Sequence, residues 1–310
     1  MGIIKRIFAA FISIFLFFPI SVSPWYSYDT DAKMTAIVMS DTHMEGNNTQ
    51  RFSNLGKGFA NAFASNEKPD AVVFVGDQTM NCQTIEWTFF YGFLYRFGIL
   101  DRTIMAFGNH DFGNSDSAED YEKLSARAIK EYNDYCDKDI DKVYYSTVVN
   151  GFKFIVLGSE ANCEDTVQYI SDEQIEWLKA EMAAENGKPV FVVNHNLIYG
   201  KNGERSYYYF NQIDNGDKLC AALEGYDGKV IYISGHSHFG VNESTVKTFD
   251  NVTYINMPSF GNEGNYDAED EYSSASIGMI IEGYDSHIKL TFKNFIEQKD
   301  LEGYTFDIAY

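Results

Sequence analysis

Basic side chains are scarce in this chain: 24 lysines and arginines stand against 45 aspartates and glutamates in 310 residues, a formal charge of −21. A field of that sign repels polyanions at long range. It argues against a nucleic acid polymer as partner, because such binding rests on neutralising phosphates with basic side chains. A small phosphate ester is not excluded, since bound cations reverse the local field. Cysteine is sparse too. Cys82, Cys136, Cys163 and Cys220 form no CxxC pair, so no zinc-ribbon pattern is present. Two readings of the four stand side by side: up to two disulfides in an exported chain, or unpaired core thiols. There is no G-x-S-x-G element, which removes the serine-hydrolase elbow. There is no H-x-H-x-D-H run, no internal repeat, no low-complexity stretch and no long linker.

Apolar runs are short as well. The longest, Ile7 to Ile20, has 14 residues, below the roughly 20 that a spanning helix needs. It follows Lys5 and Arg6 and precedes the small residues Ser21 and Ser23. This is the layout of a cleaved signal peptide over residues 1–23, with a cut as late as Ser27 because Pro24 is an awkward neighbour. The expectation is an exported protein (secreted, periplasmic or cell-surface) with no stable membrane span after cleavage, or an N-terminal anchor if the run is kept.

What remains is an ordinary globular composition, 45% hydrophobic and 16% aromatic. Short apolar segments alternate with amphipathic ones. Thr35–Met39, Ala71–Val75, Thr103–Phe107, Val190–Val193 and Lys229–Ile233 read as strands. Stretches near Arg51–Ser65, Gln83–Phe97, Glu119–Tyr135 and Ser171–Ala184 read as helices, the last opened by a Ser171…Gln174 capping signal. Asn150-Gly151 marks a hairpin, and the region from Ser244 to about Phe295 reads as further strands. Alternation of this kind predicts an α/β core with added β structure, one domain over 34–295, and a C-terminal tail over 296–310.

Each of the five strands ends in a polar block: Asp41-Thr42-His43, Gly76-Asp77, Gly108-Asn109-His110-Asp111, Asn194-His195, and Gly235-His236-Ser237-His238. These blocks hold five of the six histidines, and only His287 stands apart. Ligands gather at the carboxyl ends of strands in open α/β sheets. Taken singly, most blocks read as turns or satisfied polar residues; their shared position and their order make a ligand set. Imidazole, carboxylate and amide oxygen together suit Mn, Fe, Zn or Co.

In this order the blocks resemble the calcineurin-like metallophosphoesterases, whose pattern is D-x-H, G-D, G-N-H-[DE], a lone His, then G-H-x-H. The likeness runs from about Met34 to Gly240. It implies a four-layer α-β-β-α sandwich with a dinuclear metal site at strand ends and two divalent metal ions. By the same likeness Asp41, His43 and His238 hold one metal, Asn109, His195 and His236 the other, and Asp77 bridges them. His110 then meets the phosphate and protonates the leaving oxygen, with Asp111 orienting it; helix capping explains Asp111 equally well. The Gln78-Thr79-Met80 sequence after Asp77 departs from members that carry another acid there.

The implied activity is hydrolysis of a phosphoric ester by a hydroxide bridging two metals. A small phosphodiester such as a cyclic nucleotide is the expected substrate. A phosphomonoesterase and a non-catalytic metal-binding scaffold are the alternatives. Substrate-contact candidates are Asn47, Asn48, Arg51, Phe112 and Tyr208, the last in an aromatic run that reads either as a lid or as a segment packed on its own domain.

Overall fold

The computed structural model describes residues 5, 22–45, 48–113, 117–161, 167–198, 200–201, 213–261 and 276–310, with only the backbone of Gln50. Most of the expected leader, together with Asn47, Cys163 and Tyr208, lies outside these residues. Among the described residues no helix is long and apolar enough to cross a membrane.

Two six-stranded sheets form the body. The first runs β14 (Lys299–Ala309), β13 (His287–Asn294), β12 (Ile277–Gly283), β1 (Met34–Met39), β2 (Ala71–Phe74), β3 (Thr103–Met105). Strands β1, β2 and β3 are parallel, and the others join antiparallel. The second runs β10 (Val246–Phe249), β11 (Val252–Asn256), β9 (Val230–Ser234), β7 (Val190–Val193), β5 (Phe152–Val156), β4 (Tyr145–Val149). Its four inner strands are parallel and its two edges antiparallel. A separate parallel pair links β6 (Gln168–Tyr169) to β8 (Ile213–Asp214).

Strand alternation builds the layers. In β1, Ala36 and Val38 face the second sheet, while Ile37 and Met39 face helices α1 (Thr49–Ala62), α2 (Thr84–Phe97) and α3 (Ala118–Cys136). In β7, Phe191 and Val193 face the first sheet, and Val190 and Val192 face α4 (Asp172–Ala183) and α5 (Gly216–Glu224). The result is the expected α-β-β-α sandwich with three apolar layers. A period of 2 sends alternate side chains to opposite faces, and each large one buried here contributes about 1.5–3 kcal/mol.

Local signals set the element ends. Ser171 caps α4 by accepting the Gln174 N–H at 3.1 Å. Gln174 does not return the bond; its amide goes to Gly158 and Glu160. A reciprocal capping box lies instead at Gln83 and Glu86, opening α2. Asn150 and Gly151 both have positive φ, as a two-residue hairpin turn of the primed kind requires. The 296–310 segment is corrected: it is not a tail, because residues 299–309 pair with β13 as the sheet's edge. Its four acids and lysine face outward and conceal an apolar set in which Leu301 and Tyr304 are buried. Cys82 and Cys220 are free thiols, and Cys136 is buried in the core.

Candidate metal centre

The five polar blocks leave the carboxyl ends of β1, β2, β3, β7 and β9, so both sheets deliver side chains to one place. Two groups of ligand atoms result. Asp41, His43, Asp77 and His238 form one, and Asp77, His195 and His236 the other, with all atoms of a group within 4.8 Å of one another. Asp77 belongs to both. Its Oδ2 lies 3.7 Å from His43 Nε2 and 3.2 Å from His195 Nε2, while its Oδ1 accepts the His110 N–H at 2.9 Å.

The spacing fits cations. His43 Nε2 and His238 Nε2 are 2.8 Å apart, and His238 Nε2 is 3.1 Å from Asp41 Oδ1. His195 Nε2 and His236 Nδ1 are 3.2 Å apart. Ligands at about 2.0–2.1 Å from one ion sit roughly 3–3.4 Å from each other. The His195 Nδ1–H donates to the Val75 carbonyl at 3.0 Å, which aims Nε2 into the cluster.

The backbone is bent to allow this. Asp41, His43, Asp77, His236 and His238 all have positive φ, between 43° and 68°. Non-glycine residues take that region at a cost of about 1–3 kcal/mol each and cluster at functional sites. Two glycines are explained by close approach. A Cβ on Gly76, at φ +114°, would stand 2.2 Å from His195 Nδ1, and one on Gly108 would stand 2.2 Å from Asp77 Oδ1.

Electrostatics divide the clusters. Burial pushes Asp41 and Asp77 upward, but the imidazoles around them outweigh it and hold both below the usual carboxylate range. Burial lowers His43 to about 4 and His236 to about 3. His195 goes the other way. Burial again disfavours its charge, yet the Asp77 charge and hydrogen bond, with Asp41 beyond, raise it to about 9.

The structure brings together Asp41, His43, Asp77, His195, His236 and His238, and buries Asn109 in the adjoining block. His110 stands at the mouth. Its ring is half-buried, lies edge-on to His43 at 4.6 Å between centroids, and donates Nδ1–H to the Met80 carbonyl at 2.8 Å. The Asp111 role is corrected. Its buried carboxylate accepts main-chain N–H groups of Gly108, Gln78 and Thr79 and the Thr79 hydroxyl, so it fastens the Asp77 block to the His110 block. Burial, reinforced by the Asp77 charge, pushes it up to about 7.

Phe112 is also corrected. It is 1% exposed and packs on Phe107 and Tyr121, so it is core and not pocket rim. Asn48 is the N-cap of α1, accepting the Arg51 N–H. Arg51 reaches the site's edge, where its Nη1 donates to the His43 carbonyl and to Glu45 Oε2, each at 3.3 Å. Gln168 and Tyr232 were not legible from sequence as site residues, and Asn194 was legible only as the neighbour of His195. They bond to one another directly behind His195.

A family model described as calcineurin-like phosphoesterase matches residues 34–240. Solved structures share the fold. A dimetal phosphatase from Danio rerio matches with TM-score 0.62 and 14% identity, over 90% of this chain and 100% of that one. A purple acid phosphatase from yellow lupin (Lupinus luteus) seeds matches with TM-score 0.64 and 13% identity, over 92% of this chain and 55% of that one. No curated protein sequence matches the chain.

Proposed function

Since the chain belongs to the calcineurin-like phosphoesterase family and so hydrolyses phosphoester bonds, we propose that it is a phosphodiesterase acting on a small monoanionic ester with two divalent ions in the centre. The observation that carries the metal reading is the Asp77 carboxylate, which belongs to both ligand clusters. Asp41, His43 and His238 would hold one ion and Asn109, His195 and His236 the other. When bound, such a pair supplies Lewis-acid polarisation of the phosphoryl group and lowers the pKa of water.

The protein's own residues then do three things. The positive-φ turns direct the ligand side chains into one cluster. Main-chain bonds through Asp111 keep His110 in register with Asp77. His110, held in one tautomer by Met80, stands where a leaving oxygen could take a proton.

The diester preference rests on charge. A phosphomonoester dianion gains more from cationic side chains beside the ions than a diester monoanion does. Arg51 is already engaged by Glu45, and the chain carries −21 overall. Paired assays with bis-p-nitrophenyl phosphate and p-nitrophenyl phosphate on the two-metal protein test this. The diester should be turned over with the higher kcat/KM. A monoester preference of tenfold or more would overturn it, and no metal-dependent hydrolysis of either would sink the phosphoesterase mechanism. His110→Ala should lower kcat by about 10²–10⁴ with metal content unchanged.

A further inference from the structure

Directly behind His195 lies a buried polar network that extends from the fourth block, through Asn194, to residues outside the five blocks. Gln168 and Asn194 form a cyclic amide pair: Gln168 Nε2–H donates to Asn194 Oδ1 and Asn194 Nδ2–H donates to Gln168 Oε1, each at 2.7 Å. Asn194 Nδ2 also reaches the Tyr232 hydroxyl at 2.7 Å and the Asn196 carbonyl at 3.0 Å. Tyr232 in turn donates to the Asn196 carbonyl at 2.7 Å. Gln168, Asn194, Asn196 and Tyr232 are all at most 2% exposed.

We infer that Gln168 and Asn194, with Tyr232, are positioning residues that hold His195 for the second metal ion. Asn194 and Asn196 are the residues on either side of His195, so the network grips that loop at both shoulders. It ties the loop to β6 through Gln168 and to β9 through Tyr232. The grip matters because His195 Nε2 lies 3.2 Å from both Asp77 Oδ2 and His236 Nδ1, where a fraction of an ångström decides ligation. A network of fully bonded amides in a dry interior is stiff, and losing one member leaves others unpaired. Supporting partners behind a ligating histidine typically change metal affinity by about 10–100-fold.

This rests on the two-metal reading above, and its test separates the two. In the full chain, metal content and stepwise affinities are measured by competition with a chromophoric chelator for wild type, Gln168→Met and Tyr232→Phe. Wild type should take two ions. Gln168→Met should weaken the second by about 10–100-fold and leave the first within about twofold. Tyr232→Phe keeps the ring and removes only the hydroxyl; it should show the same split with a smaller loss. Should Gln168→Met misfold, Tyr232→Phe decides alone. If folded variants bind both ions as wild type does, or lose both equally, the positioning role is overturned while the metal reading stands. A wild-type chain that takes up no metal overturns both.

Discussion

The loop carrying Asp41 and His43 is fastened mainly by main-chain bonds, whereas the loop carrying His195 adds a side-chain network to its main-chain bonds. In the first, Asp41 and His43 N–H groups bond the carbonyls of Gly76 and Asp77, and Met44 N–H bonds Gln78. Gly261 N–H and the Ser259 hydroxyl both bond the Asp41 carbonyl. In the second, Asn194 N–H bonds the Ile233 carbonyl and Gly235 N–H the His195 carbonyl, and the amide pair of Gln168 and Asn194 adds side-chain ties. Charge follows the same division. The His43 imidazole is held near 4 and stays neutral, while His195 is held near 9 by its carboxylate partner and carries a proton at neutral pH. One half of the centre is built to receive an ion directly; the other must give up a proton first.

The largest expected effect tests whether the halves are one site. Asp77→Asn removes the carboxylate that both clusters share. The electrostatic stabilisation a metal pair offers is worth several kcal/mol, so kcat on a diester should fall on the order of a thousandfold or more. Metal analysis should show loss of more than one ion's worth of affinity. Full retention of either cluster's affinity would mean the halves are independent and the comparison is between two sites.

A smaller effect separates the clusters by pH. Ligating imidazole must be deprotonated. From about pH 6.5 to 8.5, affinity at the His195 cluster should rise roughly tenfold per unit, with about one proton released per ion. Above about 9 the slope should vanish, because His195 is then already neutral. His43, at about 4, adds no slope in that window. In the metal-free chain the sign is opposite. His195 is raised above its ordinary 6.5, so the stability from its pairing with Asp77 is complete below about 6.5 and lost as pH climbs through about 9. Stepwise metal titrations across pH, with thermal melts of the apo chain, read both trends. Equal slopes at the two clusters would break the comparison.

Much of this centre was legible beforehand because strand periodicity and residue chemistry are local. The apolar runs of β1, β2, β3, β7 and β9 show where strands stop, and the His, Asp and Asn that follow can then be placed at one edge. Long-range choices were not legible. Nothing local distinguishes an Asp111 that points to His110 from one that turns to the backbone of Gln78 and Thr79. Phe112 beside His110 looks like rim, but only the fold shows Phe107 and Tyr121 closing over it. Gln168 lies 27 residues before His195 in a two-residue strand, with no pattern to mark it. The glycines of these blocks carry a local signal whose reason only the fold supplies. Glycine precedes Asp77, Asn109 and His236, and at Gly76 and Gly108 a Cβ would occupy the space of a ligand.

The smallest expected effect is also the sharpest contrast, because it uses a second buried glutamine. Gln78 follows Asp77 and is fully buried, like Gln168, yet neither its Oε1 nor its Nε2 has a partner among the described residues. Its main chain does the work: the carbonyl accepts the Thr42 hydroxyl and the Met44 N–H, and the N–H bonds Asp111. An unpaired buried amide costs about 1–3 kcal/mol. Gln78→Met conserves volume, keeps those backbone bonds and removes the orphan, so it should stabilise the fold by about 1–2 kcal/mol, a few degrees in Tm. Both metal affinities should stay within about twofold of wild type. The same substitution at Gln168 should do the reverse, costing affinity at one cluster. If Gln78→Met instead weakens metal binding, its amide serves a ligand through water, and the claim that Gln78 acts here through its main chain fails.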